Sequence, residues 1–524
     1  MADLLASLNY NAWVLPVLLA LPTLGALLLW AHGRVAGTGE AAAHVARRLT
    51  FAILVLEFVV SMGLWWSLDP QFPEWQAIFD APWIEAWGVR FTVGVDGLSL
   101  MMVLLTTFLM PLAILGGWTS VRTKVHAYHT LMLLLTTGML GVFVAKDLFL
   151  FYVMWEVMLI PMYFIIGIWG GERRIYASLK FFIYTMLGSL LMLVAIVYLG
   201  IKAGPPGGPP NFDYDAILPI AGQSASASFW LFGAFFLAFA VKVPMFPFHT
   251  WLPDAHVEAP TAGSVVLAGI LLKLGTYGFL RVALPFFPAV AMYPAVRTGI
   301  IVLAVIGIIY GSLVALVQPD IKKLVAYSSV AHLGFVMLGI FALTVESVQG
   351  ALMVMIGHGL STGALFLLVG MIYERTHTRL IDQYGGIAKV VPLFATILTI
   401  VALSSIGLPG TNGFVAEFLV MVGAFRTYPV LTLFSATGVI LAAAYLLWAL
   451  QRMIYNKLDK PQNAALRDLN WRELGLLVPI LAGILWMGVY PKPVLDRMEA
   501  SARRFVQTVG GTSATQASTL EAGR

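Results

Sequence analysis

Six ionisable side chains lie inside long apolar stretches of this sequence, where little water is available to a charge. They are Glu156, Lys242, Lys273, His332, His358 and Glu417. A charged residue at the centre of a membrane helix costs about 2.5–3.5 kcal/mol even on insertion-based scales. The two lysines and two glutamates together therefore cost on the order of 10 kcal/mol, which inert packing does not require. Carboxyl, amine and imidazole groups all exchange protons, so a series of them predicts a proton path.

Each of these residues has a simpler interpretation as a satisfied polar group that holds two helices together. The lysines and glutamates, however, lie on four different apolar segments and near the middle of each. Glu156, for example, is about 13 Å along its helix from Asp147, close to the centre of a hydrocarbon core of ~30 Å. A chain of ionisable groups across the bundle explains these positions better than four unrelated packing contacts.

Helix-breaking residues accompany two of the six side chains. Lys242 is followed directly by prolines in KVPMFPF, and Glu417 follows the segment GLPGTNG. A break in a membrane helix frees backbone carbonyls and admits water, which makes a buried charge tolerable and lets it exchange its proton. The break therefore accounts for a lysine in an apolar segment. A proline kink that serves packing alone is the alternative.

The overall composition places these segments in a membrane. Of 524 residues, 60% are hydrophobic and 11% are charged, with a mean hydropathy of +0.88, whereas soluble domains carry roughly 25% charged residues. There is no cysteine, which excludes disulfides, thiolate-bound zinc and cysteine-ligated iron–sulfur clusters. Nucleotide-binding motifs are also missing, so the sequence predicts no site for NADH, flavin or ATP. The N-terminus lacks the features of a signal peptide, and the first apolar run is expected to be retained.

The sequence predicts an all-α polytopic membrane protein with about fourteen spans, forming a single membrane domain over residues 1–524. The spans are 12–31, 49–67, 98–118, 127–145, 147–169, 178–201, 228–248, 259–280, 296–317, 321–343, 347–373, 390–425, 429–451 and 473–490. Two interrupted apolar segments in corresponding parts of two halves are typical of inverted-repeat transporters. We therefore expect two inverted five-helix repeats, 127–280 (helices 4–8) and 296–451 (helices 9–13), each containing a broken helix.

The charges of the loops predict the orientation. Every second loop is basic, carrying Arg34, Arg47, Arg48, Arg122, Lys124, Arg173, Arg174, Lys322, Lys323, Arg375, Arg379, Arg452, Lys457, Lys460 and Arg467. The other loops are acidic or nearly uncharged, and the acidic, Trp-rich loop after the second span is expected to lie along the membrane surface. Because basic loops stay in the cytoplasm, both termini should lie on the non-cytoplasmic side.

Four segments of the chain carry a family resemblance. They are FYVMWEVMLIPMYFIIGIWGGERRIYASLKFF, AFAVKVPMFPFHTWLPDAHVEAPTAGSVVLAGILLKLGTYG, QPDIKKLVAYSSVAHLGFVMLGI and GLPGTNGFVAEFL. Together they resemble the antiporter-like membrane subunits of proton-pumping NADH:quinone oxidoreductase, respiratory complex I, over nearly the whole length. The middle two are shared with Mrp-type cation/proton antiporters and membrane-bound hydrogenases. Glu417 favours the oxidoreductase, because this position is typically lysine in the sister chains L and N and in Mrp homologues.

The resemblance implies a role for each residue. Glu156 would pair with Lys242 and modulate the charge of that lysine. A hydrated relay along the membrane midplane would continue through Lys273, His332 and His358. Glu417 would be the last residue of this relay. Asp147 and His249 are possible accessory residues. The resemblance also implies a bacterial inner membrane location and partners among the other complex I membrane subunits, especially chains L and N. FMN, iron–sulfur clusters and quinone would belong to partner subunits, with no cofactor, metal or nucleic acid bound by this chain.

Three functions from different classes remain open at this point. The first is a proton-translocating subunit of NADH:quinone oxidoreductase, the second a subunit of a Mrp-type antiporter or related hydrogenase. The third is a membrane protein that itself performs redox chemistry on quinone or on haem held by His332 and His358. A local metal site in HTWLPDAHVE is a further alternative, disfavoured because Pro253 interrupts the helical spacing of its ligands. Asp96, before the third span, is expected to cap that helix.

Overall fold

The computed structural model describes residues 1–35, 37 and 39–522, and only the backbone for 512–522. We number the helices of six or more residues in chain order. Those of the first half are α1 (Ala2–Ser7), α2 (Tyr10–Val35), α3 (Glu40–Ser67), α4 (Gly97–Gly116), α5 (Val125–Val144), α6 (Leu148–Trp169), α7 (Arg174–Ala203), α8 (Tyr214–Ala221), α9 (Ala225–Lys242) and α10 (Trp251–Glu258). Those of the second half are α11 (Thr261–Phe286), α12 (Pro294–Leu316), α13 (Ile321–Ala342), α14 (Val345–Thr376), α15 (Pro392–Ile406), α16 (Asn412–Phe425), α17 (Pro429–Tyr455), α18 (Trp471–Val489) and α19 (Lys492–Ala522).

Thirteen of these helices, within the described residues, are long and apolar enough to cross a membrane. The remaining predicted span, 390–425, consists of the two shorter apolar helices α15 and α16. The helical polytopic membrane fold is therefore confirmed, with the break in the twelfth span where Pro and Gly predict it. The grouping of the helices into two inverted repeats stays a prediction.

Several of the membrane-spanning helices have a side-chain cap at their N-terminus. Asp96 forms a capping box with Ser99 at the start of α4, as expected from its position. Asp320 accepts hydrogen bonds from the first backbone N–H groups of α13, and Thr344 forms a capping box at the start of α14. These caps satisfy donors that would otherwise be unpaired in an apolar environment.

The loop after the second span forms a β-hairpin, and its predicted position along the membrane surface stays a prediction. Strands β1 (Gln76–Ile84) and β2 (Val89–Val95) pair antiparallel. Gly88 in the connection has φ of 65°, and a Cβ there would lie 1.7 Å from the carbonyl oxygen of Pro210. Only glycine fits this backbone conformation and this contact, so the hairpin is held against the 204–213 loop.

Both ends of the described chain lie on the face of the bundle that carries the hairpin, which we call the hairpin face. The α1–α2 end is tied to the end of α3, because the Tyr10 hydroxyl donates to the carbonyl of Val60. At the other end, Arg504 on α19 forms an ion pair of 2.6 Å with Glu74. The compartment that this face meets stays a prediction.

Helix α19 has no counterpart among the predicted spans. It packs along the hairpin face against α4 and α14. Its buried side chains recur at helical spacing and are Val494, Met498, Ala502, Phe505 and Val509. The helix is amphipathic rather than apolar, which is why a search for uniformly apolar spans misses it.

The centre of the bundle is formed by α11, α13 and α14, whose apolar segments are almost completely buried by other helices. Helices α3, α17 and α18 are only about one-third buried and form the periphery. Lys273, His332 and His358 therefore lie on the three helices that have the least contact with the surroundings of the protein.

Candidate functional site

Lys273 lies on a helix with two local distortions. Helix α11 contains π-helical turns at Leu267–Leu271 and Phe279–Ala283, on either side of the lysine; π turns within α-helices are frequent at functional sites. The Lys273 ammonium is fully buried, donates to the carbonyl oxygen of Ala268 at 2.5 Å and lies 2.6 Å from Nδ1 of His358. The lysine and the histidine are therefore close enough to share a proton.

Two histidines connect Lys273 to Glu417. The rings of His358 and His332 lie 5.7 Å apart at an interplanar angle of 65°. His332 Nδ1 in turn lies 2.8 Å from Oε1 of Glu417. The structure thus brings together four of the six predicted residues, Lys273, His358, His332 and Glu417, on four different helices.

A small cavity lies along this connection. It has a volume of 20 Å³ and is bordered by both histidines, Glu417, Ser361 and Ser404, among others. That volume is enough for about one water molecule. Nε2 of His358 is buried without a hydrogen-bond partner in the described part of the chain. A water in the cavity would therefore have polar neighbours, including both histidines.

A polar network fixes the break between α15 and α16. Ser404 Oγ donates to Oδ1 of Asn412 at 2.6 Å, and the Ser361 and Ser404 hydroxyls are 2.8 Å apart. Asn412 Nδ2 also donates to the carbonyl of Gly357 at 3.3 Å. A Cβ at Gly413 would lie 2.0 Å from the carbonyl oxygen of Ser404, so glycine is required for this close approach. The network holds the start of α16, and with it Glu417, against α14.

Lys242 occupies a very different environment at the end of α9. Its Nζ is buried, has no hydrogen-bond partner in the described structure, and lies 5.4 Å and 5.5 Å from the ring centroids of Trp155 and Phe181. Trp251 Nε1 donates to the carbonyl of Val241 at 2.9 Å. The indole of Trp251, on α10, therefore satisfies a carbonyl that the broken helix leaves free.

The structure does not place Glu156 in an ion pair with Lys242. Among the described carboxylates, none lies within 4.0 Å of this lysine. Glu156 is half-buried, and its Oε1 has no hydrogen-bond partner. Trp155, the residue before Glu156 on α6, packs next to the lysine, with its ring centroid 5.4 Å from Nζ.

The two possible accessory residues lie apart from these contacts. Asp147 caps α6 on the hairpin face, where it accepts from the backbone N–H groups of Leu150 and Arg90. Burial raises the pKa of Asp147 to about 6. His249 stacks on Phe246, with ring centroids 5.8 Å apart, and its Nδ1 has no partner among the described residues. No contact joins either residue to Lys242.

The polar residues of HTWLPDAHVE point to separate partners. Asp254 forms an ion pair of 2.7 Å with Lys180, and Glu258 accepts from the backbone N–H of Arg173 at 2.9 Å. His256 stacks on Phe366 at 4.6 Å. Across the described residues no three His, Asp or Glu side chains converge as metal ligands. These contacts connect α10 to neighbouring elements, and each of these side chains has a different partner.

Sequence reasoning missed one buried acid and one ion pair. Glu57 on α3 is fully buried, and neither carboxyl oxygen has a hydrogen-bond partner in the described structure. The signal was present, because Glu57 is the only charged residue between Arg48 and Asp69. Asp96 was expected to be a cap, but it also forms a buried ion pair of 2.6 Å with Arg281. No sequence pattern predicts the contact between Asp96 and Arg281.

Known proteins resemble this chain in sequence and in fold. Residues 145–442 match the family model described as NADH:quinone oxidoreductase/Mrp antiporter, TM. NADH-quinone oxidoreductase subunit M of Rhodobacter capsulatus is 47% identical over 94% of this chain and 96% of its own. A chain of respiratory complex I from Thermus thermophilus has a TM-score of 0.84 and 32% identity, covering 95% of this chain and 99% of that one.

A chain of a Mrp complex from a Dietzia species has a similar fold. That structure has a TM-score of 0.81 at 20% identity, with 95% of this chain and 99% of the other covered, and shows the fold alone. The family model and the Rhodobacter relative both span most of the candidate path, from Glu156 to Glu417. The chain therefore belongs to the family of NADH:quinone oxidoreductase and Mrp antiporter transmembrane subunits.

Proposed function

We propose that this chain is the M subunit of a respiratory NADH:quinone oxidoreductase, the counterpart of mitochondrial chain 4. In this role it moves protons across the membrane, driven by quinone reduction elsewhere in the complex. The observation that carries the proposal is the connection from Lys273 through His358 and His332 to Glu417. The relative from Rhodobacter capsulatus, similar over almost the whole chain, supports the oxidoreductase over the antiporter.

The geometry supports proton movement in three steps. Lys273 gives a proton to Nδ1 of His358, 2.6 Å away. His358 releases a proton from Nε2 to a water in the cavity, which passes it to His332. His332 then gives its Nδ1 proton to the Glu417 carboxylate at 2.8 Å. Each imidazole takes a proton on one nitrogen and releases one from the other, which is what histidine chemistry allows.

Lys242 and Glu156 form the other end of the proposed path. Opposite charges at about 4–6 Å stabilise one another, and separating them favours release of the lysine proton. The arrangement with Glu156 outside ion-pair distance and Trp155 beside the ammonium represents the separated state. A change in a neighbouring subunit that brings Glu156 closer would reload Lys242, so that one cycle of approach and separation moves one proton.

The first test is Lys242→Ala in the assembled complex. NADH-driven proton uptake would be measured in inverted membrane vesicles, with assembly checked on a native gel. Lys202→Ala is the control, because this lysine is exposed in the last turn of α7, where it lies over the Tyr198 ring. We expect pumping to collapse in the first variant and to stay at the wild-type level in the second. Unchanged pumping by an assembled Lys242→Ala complex would remove Lys242 from the path.

We also propose that the chain itself holds no redox centre. FMN, iron–sulfur clusters and quinone would be bound by partner subunits, and chains L and N would be the nearest antiporter-like neighbours. The isolated chain should therefore show neither visible absorbance nor NADH dehydrogenase activity. A bound chromophore in the purified chain would contradict this. An antiporter subunit, by contrast, would support cation-driven proton movement in vesicles without any electron donor.

The proposed orientation places the hairpin face outside the cytoplasm of a bacterial inner membrane. Because the chain has no cysteine, single cysteines report sidedness without background labelling. Ser7→Cys on the hairpin face and Ser120→Cys on the opposite face are both at exposed positions. A membrane-impermeant maleimide added to intact spheroplasts should label the first and not the second. The reverse pattern would invert the topology.

A further inference from the structure

A basic cleft opens on the face of the bundle opposite the hairpin, between the α2–α3 and α4–α5 connections. Its volume is 890 Å³. The ionisable side chains that line it are Arg34, Glu40, His44, Arg47, Arg122, Lys124 and His126. Glu40 is the single carboxylate among these described lining residues, and it lies 3.9 Å from His44. The cleft thus has an excess of positive charge.

Three of these cations have no counter-ion within the described chain. Arg34, Arg122 and Lys124 are exposed, and none of them forms an ion pair with a described carboxylate. Arg47 is different, since it is buried and donates to the carbonyl of Val121 at 2.9 Å. Arg47 therefore ties α3 to the α4–α5 connection at the edge of the cleft, while the other three have no carboxylate partner among the described residues and can contact an anion.

The walls of the cleft are typical of a membrane interface. Trp30 and Trp118 both line it, and the Arg34 guanidinium lies 4.9 Å from the ring centroid of Trp30. Tryptophan is enriched where headgroups meet hydrocarbon. One turn further into the membrane, α2 exposes Leu27, with Leu24 and Leu28 beside it, each more than half exposed. A basic pocket therefore adjoins an exposed apolar strip on α2.

We propose that this cleft binds the phosphate headgroup of an anionic phospholipid, with the acyl chains lying along the exposed leucines of α2. The three free cations provide charge-assisted hydrogen bonds to phosphate oxygens. Basic pockets between membrane helices on the cytoplasmic side are suited to anionic headgroups. The adjoining apolar strip favours a lipid over a free phosphate, because inorganic phosphate makes no use of the leucines.

The test uses the whole complex in nanodiscs that contain a photoactivatable phosphatidylglycerol with a diazirine in its acyl chain. Crosslinked peptides from 10–35 and 125–144 would be quantified by mass spectrometry. The variant is Arg34→Gln/Arg122→Gln/Lys124→Gln. The matched control, Lys389→Gln/Lys457→Gln/Arg467→Gln, removes three exposed cations without ion pairs that lie in the later loops. We expect capture to fall roughly tenfold or more in the variant, since each basic group contributes to affinity, and to be unchanged in the control.

Three outcomes would overturn the proposal. Equal capture of a photoactivatable phosphatidylcholine would mean that the apolar strip alone binds lipid. Displacement of the probe by inorganic phosphate as effectively as by unlabelled phosphatidylglycerol would indicate a small-anion site. Crosslinks from this cleft to a neighbouring subunit in place of the probe would mean that a protein segment occupies it. If the triple variant does not assemble, competition between unlabelled anionic and zwitterionic lipid in the wild-type complex decides the question.

Discussion

The two broken helices of this chain hold their buried charges in opposite ways. At the α9–α10 break, Lys242 has aromatic rings around its ammonium and no hydrogen-bond partner among the described residues. At the α15–α16 break, Glu417 is bonded to His332 and supported by a polar network that includes Asn412. A break in a membrane helix therefore lies beside an isolated charge at Lys242 and beside a paired charge at Glu417.

This difference indicates at which end of the proposed path a movement of neighbouring side chains would change the protonation of the buried group. A hydrogen bond to a charged group contributes about 1.5–3 kcal/mol, so the Glu417–His332 pair holds its geometry. Lys242 has no hydrogen-bond partner among the described residues, and we expect its charge to depend on how close Glu156 comes. We infer that the first break is the variable site and the second is a fixed acceptor.

The largest expected effect comes from Lys242→Met, which separates function from packing. Methionine has a similar length and is apolar, and the wild-type amine makes no hydrogen bond that would be lost. We expect NADH-driven pumping to fall at least about tenfold, because no proton can be carried at this position. The midpoint of thermal inactivation of the complex should stay the same or rise, since replacing a buried charge by an apolar group is often neutral or stabilising. A lower midpoint would show that Lys242 has a stabilising contact in the working state.

At Glu417, in contrast, an apolar replacement should lower both pumping and thermal stability. Glu417→Leu leaves His332 without its partner, which costs about 1–3 kcal/mol for a buried polar group. We therefore expect both a lower thermal midpoint and a loss of pumping. Glu417→Gln is the matched variant, because the amide oxygen keeps a hydrogen bond to the ring but cannot accept a proton. It should retain the midpoint while pumping falls about tenfold. If Gln supported normal pumping, Glu417 would only orient His332.

Much of this comparison was accessible from the sequence. Apolar runs predict the spans, and Pro and Gly predict both breaks, because a backbone without intrahelical hydrogen bonds needs such residues in a membrane. Charged residues inside spans identify Lys273 and Glu417, which the structure then connects through His358 and His332. Because burying a charge in a membrane is costly, a charged residue inside an apolar segment can be recognised as functionally important from one sequence.

Other features left no such signal. Asn412 and the serines around it are uncharged and common in membrane helices, so their network depends on the packing of three helices. The position of Glu156 relative to Lys242 depends on side-chain torsions, which spacing along a helix does not determine. Glu57 is the exception, since it carried the same signal as Glu156 and was overlooked.

A smaller effect is expected from Trp251→Phe, which tests how the first break is sealed. Phenylalanine keeps the aromatic packing against Phe181 but loses the N–H that donates to the carbonyl of Val241. An unsatisfied carbonyl should lower the thermal midpoint, by an amount corresponding to about 1 kcal/mol. We also expect pumping to slow, because the break beside Lys242 loses the hydrogen bond that fixes it. An unchanged pumping rate with a lowered midpoint would restrict Trp251 to stabilising the break.

The smallest expected effect is that of Trp155→Leu, which removes one of the two rings beside the Lys242 ammonium. A cation–π contact of this kind contributes about 0.5–2 kcal/mol to holding the charged form. Its loss, with space opened between α6 and α9, should let Glu156 approach the lysine. We expect only a few-fold change in pumping, but a shift in its pH dependence that Glu156→Gln abolishes in the double variant. Phe181→Leu is the control, because it removes the other ring and leaves the residue next to Glu156 intact. If both single variants shifted the pH dependence equally, the rings would act only by isolating the lysine, and the position of Glu156 would not be controlled by Trp155.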